Sequence, residues 1–294
     1  MRNKEPRNAF HEDKNKIVGG TLYLVATPIG NLSDISERAL KVLSEVDFVA
    51  AEDTRNSGKL LAYFGISKPM VSYFEHNKRE RGEVIIERLL SGESCALVTD
   101  AGTPAISDPG EDLVVLCAER GITVTSIPGC SAVVNALALS ALPTGRFCFE
   151  GFLSTNKNER FERLNEIKFD TRTTIFYEAP HKLVKTLEDL YSVFGERKIS
   201  LCRELTKLNE EILRLTLSGA IEYYKENAPR GEYVLVLEGA STTEINDNAF
   251  WKNMTISDHV DYYISQEMKK MDAIKAVAKD RGLPKNEIYK IINT

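Results

Sequence analysis

Between residues 20 and 145 the chain alternates short apolar runs with helical patterns five times, and this alternation narrows the available folds more than any other feature. The strand-like runs are 22–26, 46–50, "PMVSYF", "CALVTD" and "ITVTSIPG". A helix between successive strands sets them side by side in one direction, so the pattern predicts a mostly parallel sheet. The first helix carries Ile35, Leu40 and Leu43 on one face, with Asp34 and Glu37 spaced as a capping box. "EDLVVLCAERG" predicts a later helix stopped by Gly121.

Three strand-to-helix loops are rich in proline and glycine: "ATPIGN" at 26–31, "VTDAGTPAISDPG" at 98–110, and "SIPGCSA" at 126–132, where Ser131 reads as an N-cap. In a parallel sheet such loops gather at the carboxyl edge, where ligands bind and glycine lets backbone approach them. Any one of them is explained as a tight turn; three at one edge, one carrying Asp100, favour a cleft. The first loop lacks the full G-x-G-x-x-G spacing and the chain has no G-x-x-x-x-G-K-[ST], so NAD and ATP are poor fits.

From Phe147 the rhythm changes. "FCFEGFL", "TTIFYEA", "KISLCREL", "ILRLTL" and "EYVLVLEG" are strand-like, and 157–169, 181–194 and 219–227 are helical. The middle helix follows Pro180, shows the stripe Leu183, Val184, Leu187, Leu190, Tyr191, and stops at Gly195. Two strands succeed each other without a helix, which predicts a second α/β domain with a mixed sheet. After the polar linker at 241–255, three short helices fill 256–294, with Ala278, Gly282 and Ile288 at the small, turn and apolar positions of a helix-turn-helix. That unit reads either as a nucleic-acid reader or as a small bundle that only packs.

The expected organisation is thus a disordered leader at 1–19, α/β domains at 20–145 and 146–240, the linker, and the helical unit. "SAVVNALALSAL" at 131–142, interrupted by Asn135 and Ser140, is expected to be a buried helix and not a membrane span. Cys95, Cys117, Cys130, Cys148 and Cys202 are scattered without a C-x-x-C pair, as reduced core residues of a cytoplasmic protein would be. His11, His76, His181 and His259 are too dispersed to suggest a metal. The net charge of −5, with no segment of the folded part in basic excess, argues against a general nucleic-acid coat.

The segments "LYLVATPIGNLSDIS", "EDTR", "VTDAGTPAISDPG", "PGCSA", "FYEAPHKL", "CRELTK" and "GEYVLVLEG", in this order, resemble the ribosomal RNA small subunit methyltransferase I family, of the tetrapyrrole methylase class. The C-terminal unit resembles that family's helix-turn-helix extension. Lys182 departs from the expected arginine, keeping the charge and losing a bidentate donor. The resemblance implies S-adenosyl-L-methionine in a cleft between the two α/β domains. It places Pro28 and Ile29 in the first loop, Asp100, Gly102, Thr103, Ala105 and Ile106 in the central loop, Ser131 and Ala132 in the third, and Tyr177 and Leu205 on the second domain. Asp100 stays open to a loop-fixing role.

The implied reaction is methylation of a ribose 2'-hydroxyl on a decoding-region cytidine of 16S rRNA, within the small ribosomal subunit, by a homodimer. Glu178 and His181 of "YEAPH" and Glu52, Asp53 and Arg55 of "EDTR" are the candidates for proton transfer or RNA positioning. His181 equally reads as a solvated helix start, and Arg55 as a partner of Asp53. Lys78, Arg79, Arg81, Lys157, Arg160 and Arg163 are candidates for a local basic rim. A tetrapyrrole-like small-molecule methylase, which would not need 256–294, and a non-catalytic RNA-binding adaptor, which would not need the cleft, are the alternatives.

Overall fold

A computed structural model of the chain describes residues 16–241, 243, 244 and 250–292. Residues 1–15 of the expected leader at 1–19, and residues 242 and 245–249 of the linker, lie outside the described residues.

The first sheet holds β1 (Thr21–Val25), β2 (Phe48–Ala51), β3 (Met70–Ser72), β4 (Cys95–Val98) and β5 (Thr123–Ile127) in the order β3-β2-β4-β1-β5. Every pairing in it is parallel. All residues of β2 and β4 are buried, so these strands read as unbroken apolar runs with no alternation, as strands covered on both faces must. The covering helices are α1 (Glu37–Glu45), α2 (Thr54–Tyr63), α3 (Lys78–Leu90) and α4 (Glu111–Glu119). Each large aliphatic side chain they bury contributes about 1.5–3 kcal/mol.

Two local expectations are corrected here. Asp34 belongs to a 3-10 turn, Leu32–Asp34, and the cap of α1 is Ser36, whose hydroxyl accepts from the Ala39 amide at 3.1 Å. The buried face of α1 is accordingly Ala39, Val42 and Leu43, with Leu40 half-buried. Helix α5 (Ala132–Leu139) is half-buried and not wholly so: Val133, Ala136 and Leu137 face inward while Val134 is 57% exposed.

The second sheet is mixed. It holds β6 (Phe147–Phe152), β7 (Thr173–Glu178), β8 (Lys198–Arg203), β9 (Glu211–Thr216) and β10 (Tyr233–Leu237) in the order β6-β7-β10-β8-β9. Only β6 and β7 run parallel; β10 is antiparallel to β7 and β8, and β8 to β9. Helices α6 (Lys157–Glu166), α7 (Leu183–Phe194) and α8 (Leu217–Glu226) share the core on one face. The other face takes the inward side of α5, through Ile175, Cys202, Leu205, Val234 and Val236. A helix from the first segment of chain therefore seals the second sheet and fixes the two domains against each other.

The last unit is α9 (Ile256–Ser265), α10 (Lys270–Arg281) and α11 (Lys285–Ile292), packed around Val260, Ala273, Ile274, Val277 and Ile288. Gly282 ends α10 at φ +62°, a left-handed turn that a side chain disfavours. Among the described residues no helix is long and apolar enough to cross a membrane.

Candidate functional site

The three proline-glycine loops follow β1, β4 and β5, and these are adjacent strands, so topology alone brings them together. Backbone bonds then lock them. Thr27 and Gly102 exchange two amide–carbonyl bonds of 2.9 and 3.0 Å, and Thr103 Oγ1 donates to the Cys130 carbonyl at 3.0 Å. Gly102 sits at φ +88°, a region its neighbours' geometry demands and only glycine occupies freely.

Between these loops and the second sheet lies a cavity of about 440 Å³, within the range of small-molecule sites. Ile29, Gly102, Thr103, Ile106, Ser131 and Ala132 line it from the first domain, and Tyr177, Glu178 and Leu205 from the second. Pro28, Asp100 and Ala105 stand in the same loops without reaching the wall. Gly30 explains how closely the domains approach: a Cβ there would lie 3.0 Å from Thr206 Oγ1 and 3.1 Å from the Leu205 carbonyl. Ala105, Ser107, Glu204 and Thr206 all have left-handed backbone beside the cavity, at φ between +50° and +66°. Such strain concentrates where a binding surface is pre-formed.

The residues expected to move protons or position RNA separate. Glu178 reaches the wall with both oxygens engaged, Oε1 by the Ala179 amide at 2.8 Å and Oε2 by the Thr186 hydroxyl at 2.5 Å. His181 is exposed and does not line the cavity. Asp53 caps α2 and pairs with Arg55 at 2.8 Å, which holds its carboxyl down at about 2. Asp100 accepts from Asn56 Nδ2 at 3.0 Å, tying the start of α2 to the central loop. Burial and the charge of Asp100 push the carboxyl of Glu52 up.

Several lining residues escaped the sequence reading. Glu204 of "CRELTK" and Glu232 of "GEYVLVLEG" are both paired with Lys207, at 2.9 and 2.8 Å. Phe152, 59% exposed, leans on Tyr177 with ring centroids 5.4 Å apart. Asp108 lies within the quoted "SDPG"; burial and the charges of Glu52 and Asp100 push its carboxyl up to about 6. Of the basic rim, Lys78, Arg160 and Arg163 are held in intramolecular ion pairs, with Asp112, Asp189 and Glu150. Three of the six candidates for a basic rim are thus engaged within the chain. Among the described residues no group of acids, histidines and cysteines is arranged to hold a metal.

A family model described as tetrapyrrole (corrin/porphyrin) methylases matches residues 21–221. The chain is 48% identical over 272 residues to the ribosomal RNA small subunit methyltransferase I of Halalkalibacterium halodurans, covering 92% of this chain and 94% of that one. The chain belongs to the ribosomal RNA small subunit methyltransferase I family of tetrapyrrole methylases. The Bacillus subtilis relative of the same name is 45% identical over 92% of this chain and 93% of its own. Uroporphyrin-III-C-methyltransferase from Thermus thermophilus shares the fold at a TM-score of 0.54 and 19% identity, over 74% of this chain and 94% of that one.

Methylases of this family use S-adenosyl-L-methionine, and this one is an S-adenosyl-L-methionine-dependent methyltransferase. The cavity fits that group. Ala101, Gly102 and Ala132 leave room for backbone to approach it, Ile29, Leu205 and Val234 give an apolar wall, and the carboxylates around it suit a cationic ligand.

Proposed function

We propose that this methylase transfers the methyl of S-adenosyl-L-methionine to the 2'-hydroxyl of a decoding-region cytidine of 16S rRNA in the small ribosomal subunit. The carrying observation is the extent of the likeness. An alignment of 272 residues in a chain of 294 necessarily reaches into the three-helix unit at 256–292, beyond the methylase model that ends at residue 221. A small-molecule methylase needs no such addition.

The bound methyl donor supplies an activated methyl group. The chain's own part is to hold a weakly acidic hydroxyl in line with it and to exclude water. Phe152 and Ile106 support the reading from the mouth of the cavity, where they are 59% and 49% exposed. An aromatic face there suits an unstacked base of a single-stranded RNA segment. The side chains Val134 and Leu139, left exposed on α5, support self-association as a homodimer. The described residues hold no membrane-spanning helix, and the reading places the protein in the cytoplasm with its ribosomal substrate.

The test is transfer of labelled methyl to small ribosomal subunits, to naked 16S rRNA and to a porphyrin substrate in parallel. Label in RNA supports the reading; label in porphyrin alone overturns it.

A further inference from the structure

Four carboxylates line the cavity: Asp108, Glu178, Glu204 and Glu232. Three are already committed. Glu178 accepts from the Ala179 amide and the Thr186 hydroxyl, and Lys207 is ion-paired with both Glu204 and Glu232. Asp108 has no ion-pair partner among the described residues. Its loop is also the one that crosses the cleft. In β6 the register shifts at Gly151, which adopts φ +65°, and a Cβ there would come to 3.2 Å from Ser107 Oγ. The bulge makes room for the central loop, and the left-handed turns at Ala105 and Ser107 aim the segment between them and Asp108 into the cavity.

We propose that Asp108 is the proton acceptor of the methyl transfer. The inference rests on the ribose reading above. A lone pair of the 2'-oxygen forms the new C–O bond to the methyl carbon, the C–S bond breaks with its electron pair passing to sulfur, and the hydroxyl proton goes to a carboxylate oxygen of Asp108. The sulfonium charge is thereby lost as the proton is bound, and Asp108 later releases the proton to water. The groups facing Asp108 are Glu52 at the end of β2, Asp100 and Thr99 after β4, and Tyr177 on β7. The two acids and burial oppose its ionisation, while Thr99 favours it. An acceptor that ionises at about 6 is mostly charged at neutral pH and still basic enough to take a proton.

The experiment is single-turnover methyl transfer to small ribosomal subunits by the full chain, across pH 5 to 9, with binding of S-adenosylhomocysteine measured on each variant. Wild type is expected to lose rate as pH falls through about 6. Asp108→Asn is expected to lose about 10²- to 10⁴-fold in rate and the acid limb with it, while product affinity changes less than threefold. Formate should restore part of the rate of Asp108→Ala and none to wild type. A folded Asp108→Asn enzyme that keeps its rate, keeps the acid limb, or loses affinity in step with rate overturns the assignment. Should Asp108→Asn fail to fold, absence of an acid limb in wild type overturns it. Wild type that transfers no methyl to RNA defeats the ribose reading instead.

Discussion

Thr186 Oγ1 donates to Glu178 Oε2 across 2.5 Å, and with the Ala179 amide on Oε1 this makes Glu178 the clamp between the end of β7 and the first turn of α7. Both side chains are at most 5% exposed, so loss of either partner leaves a buried polar group unmatched. Glu178→Ala is expected to destabilise the fold by about 1–3 kcal/mol, and Thr186→Val by a similar amount. The double variant should cost far less than the sum, because the two remove one interaction. Urea unfolding of the three variants reads this directly; fully additive losses would show that the bond contributes nothing.

At Gly102 the backbone at φ +88° and the paired amides to Thr27 set both the loop and the cavity wall. Gly102→Leu is expected to weaken S-adenosyl-L-methionine binding more than tenfold, by filling the space beside Ile29 and straining the turn. Calorimetry showing unchanged affinity in a folded Gly102→Leu protein would place the donor elsewhere.

His259 is fully buried, accepts from Arg281 Nε on Nδ1 at 3.2 Å, and has Nε2 facing Asp280 Oδ2 at 3.3 Å. Burial, followed by the charge of Arg281, lowers its pKa in the fold. The unfolded chain therefore binds this proton more readily, near about 6.5. Stability supplied by the neutral ring is complete above that pH and is lost as pH falls below it. Trp251, the sole tryptophan of the sequence, stacks on His259 at 5.4 Å and reports the unit. Its fluorescence midpoint in urea should fall between pH 7.5 and 5.5, and His259→Gln should flatten that slope. A midpoint that rises on acidification would contradict the assignment.

A chain ending at Ala240 keeps both sheets and every cavity-lining residue. It is expected to bind S-adenosyl-L-methionine within threefold of the full chain and to methylate small subunits at least tenfold more slowly. Undiminished methylation would remove substrate recognition from the helical unit.

Much of this was legible because strands buried on both faces leave continuous apolar runs, as in "FVAA" and "CALV", and because Pro-Gly loops mark the ligand edge of a parallel sheet. The lining residues Ile29, Gly102, Thr103, Ile106, Ser131, Ala132, Tyr177 and Leu205 fall in quoted segments. Partner choice was not legible. Ser36 displaced Asp34 as the cap of α1, and Ser131 stands at the start of α5 without a side-chain capping bond. Lys207 pairs with Glu204 three residues away and with Glu232 just before β10, and Thr186 reaches Glu178 across a turn; which of several acids in reach each one takes is decided by the folded loops and not by spacing. Asp108 sat in a quoted motif, yet its isolation from any cation emerges only when the neighbours from β2 and β7 are in place.

The most direct test of the central claim is the identity of the methylated nucleoside. Small ribosomal subunits lacking the modification are incubated with the full chain and labelled S-adenosyl-L-methionine, digested to nucleosides and resolved by mass spectrometry. The label is expected on 2'-O-methylcytidine from the decoding region. Label on a base-methylated nucleoside, or no label in RNA, would contradict the account.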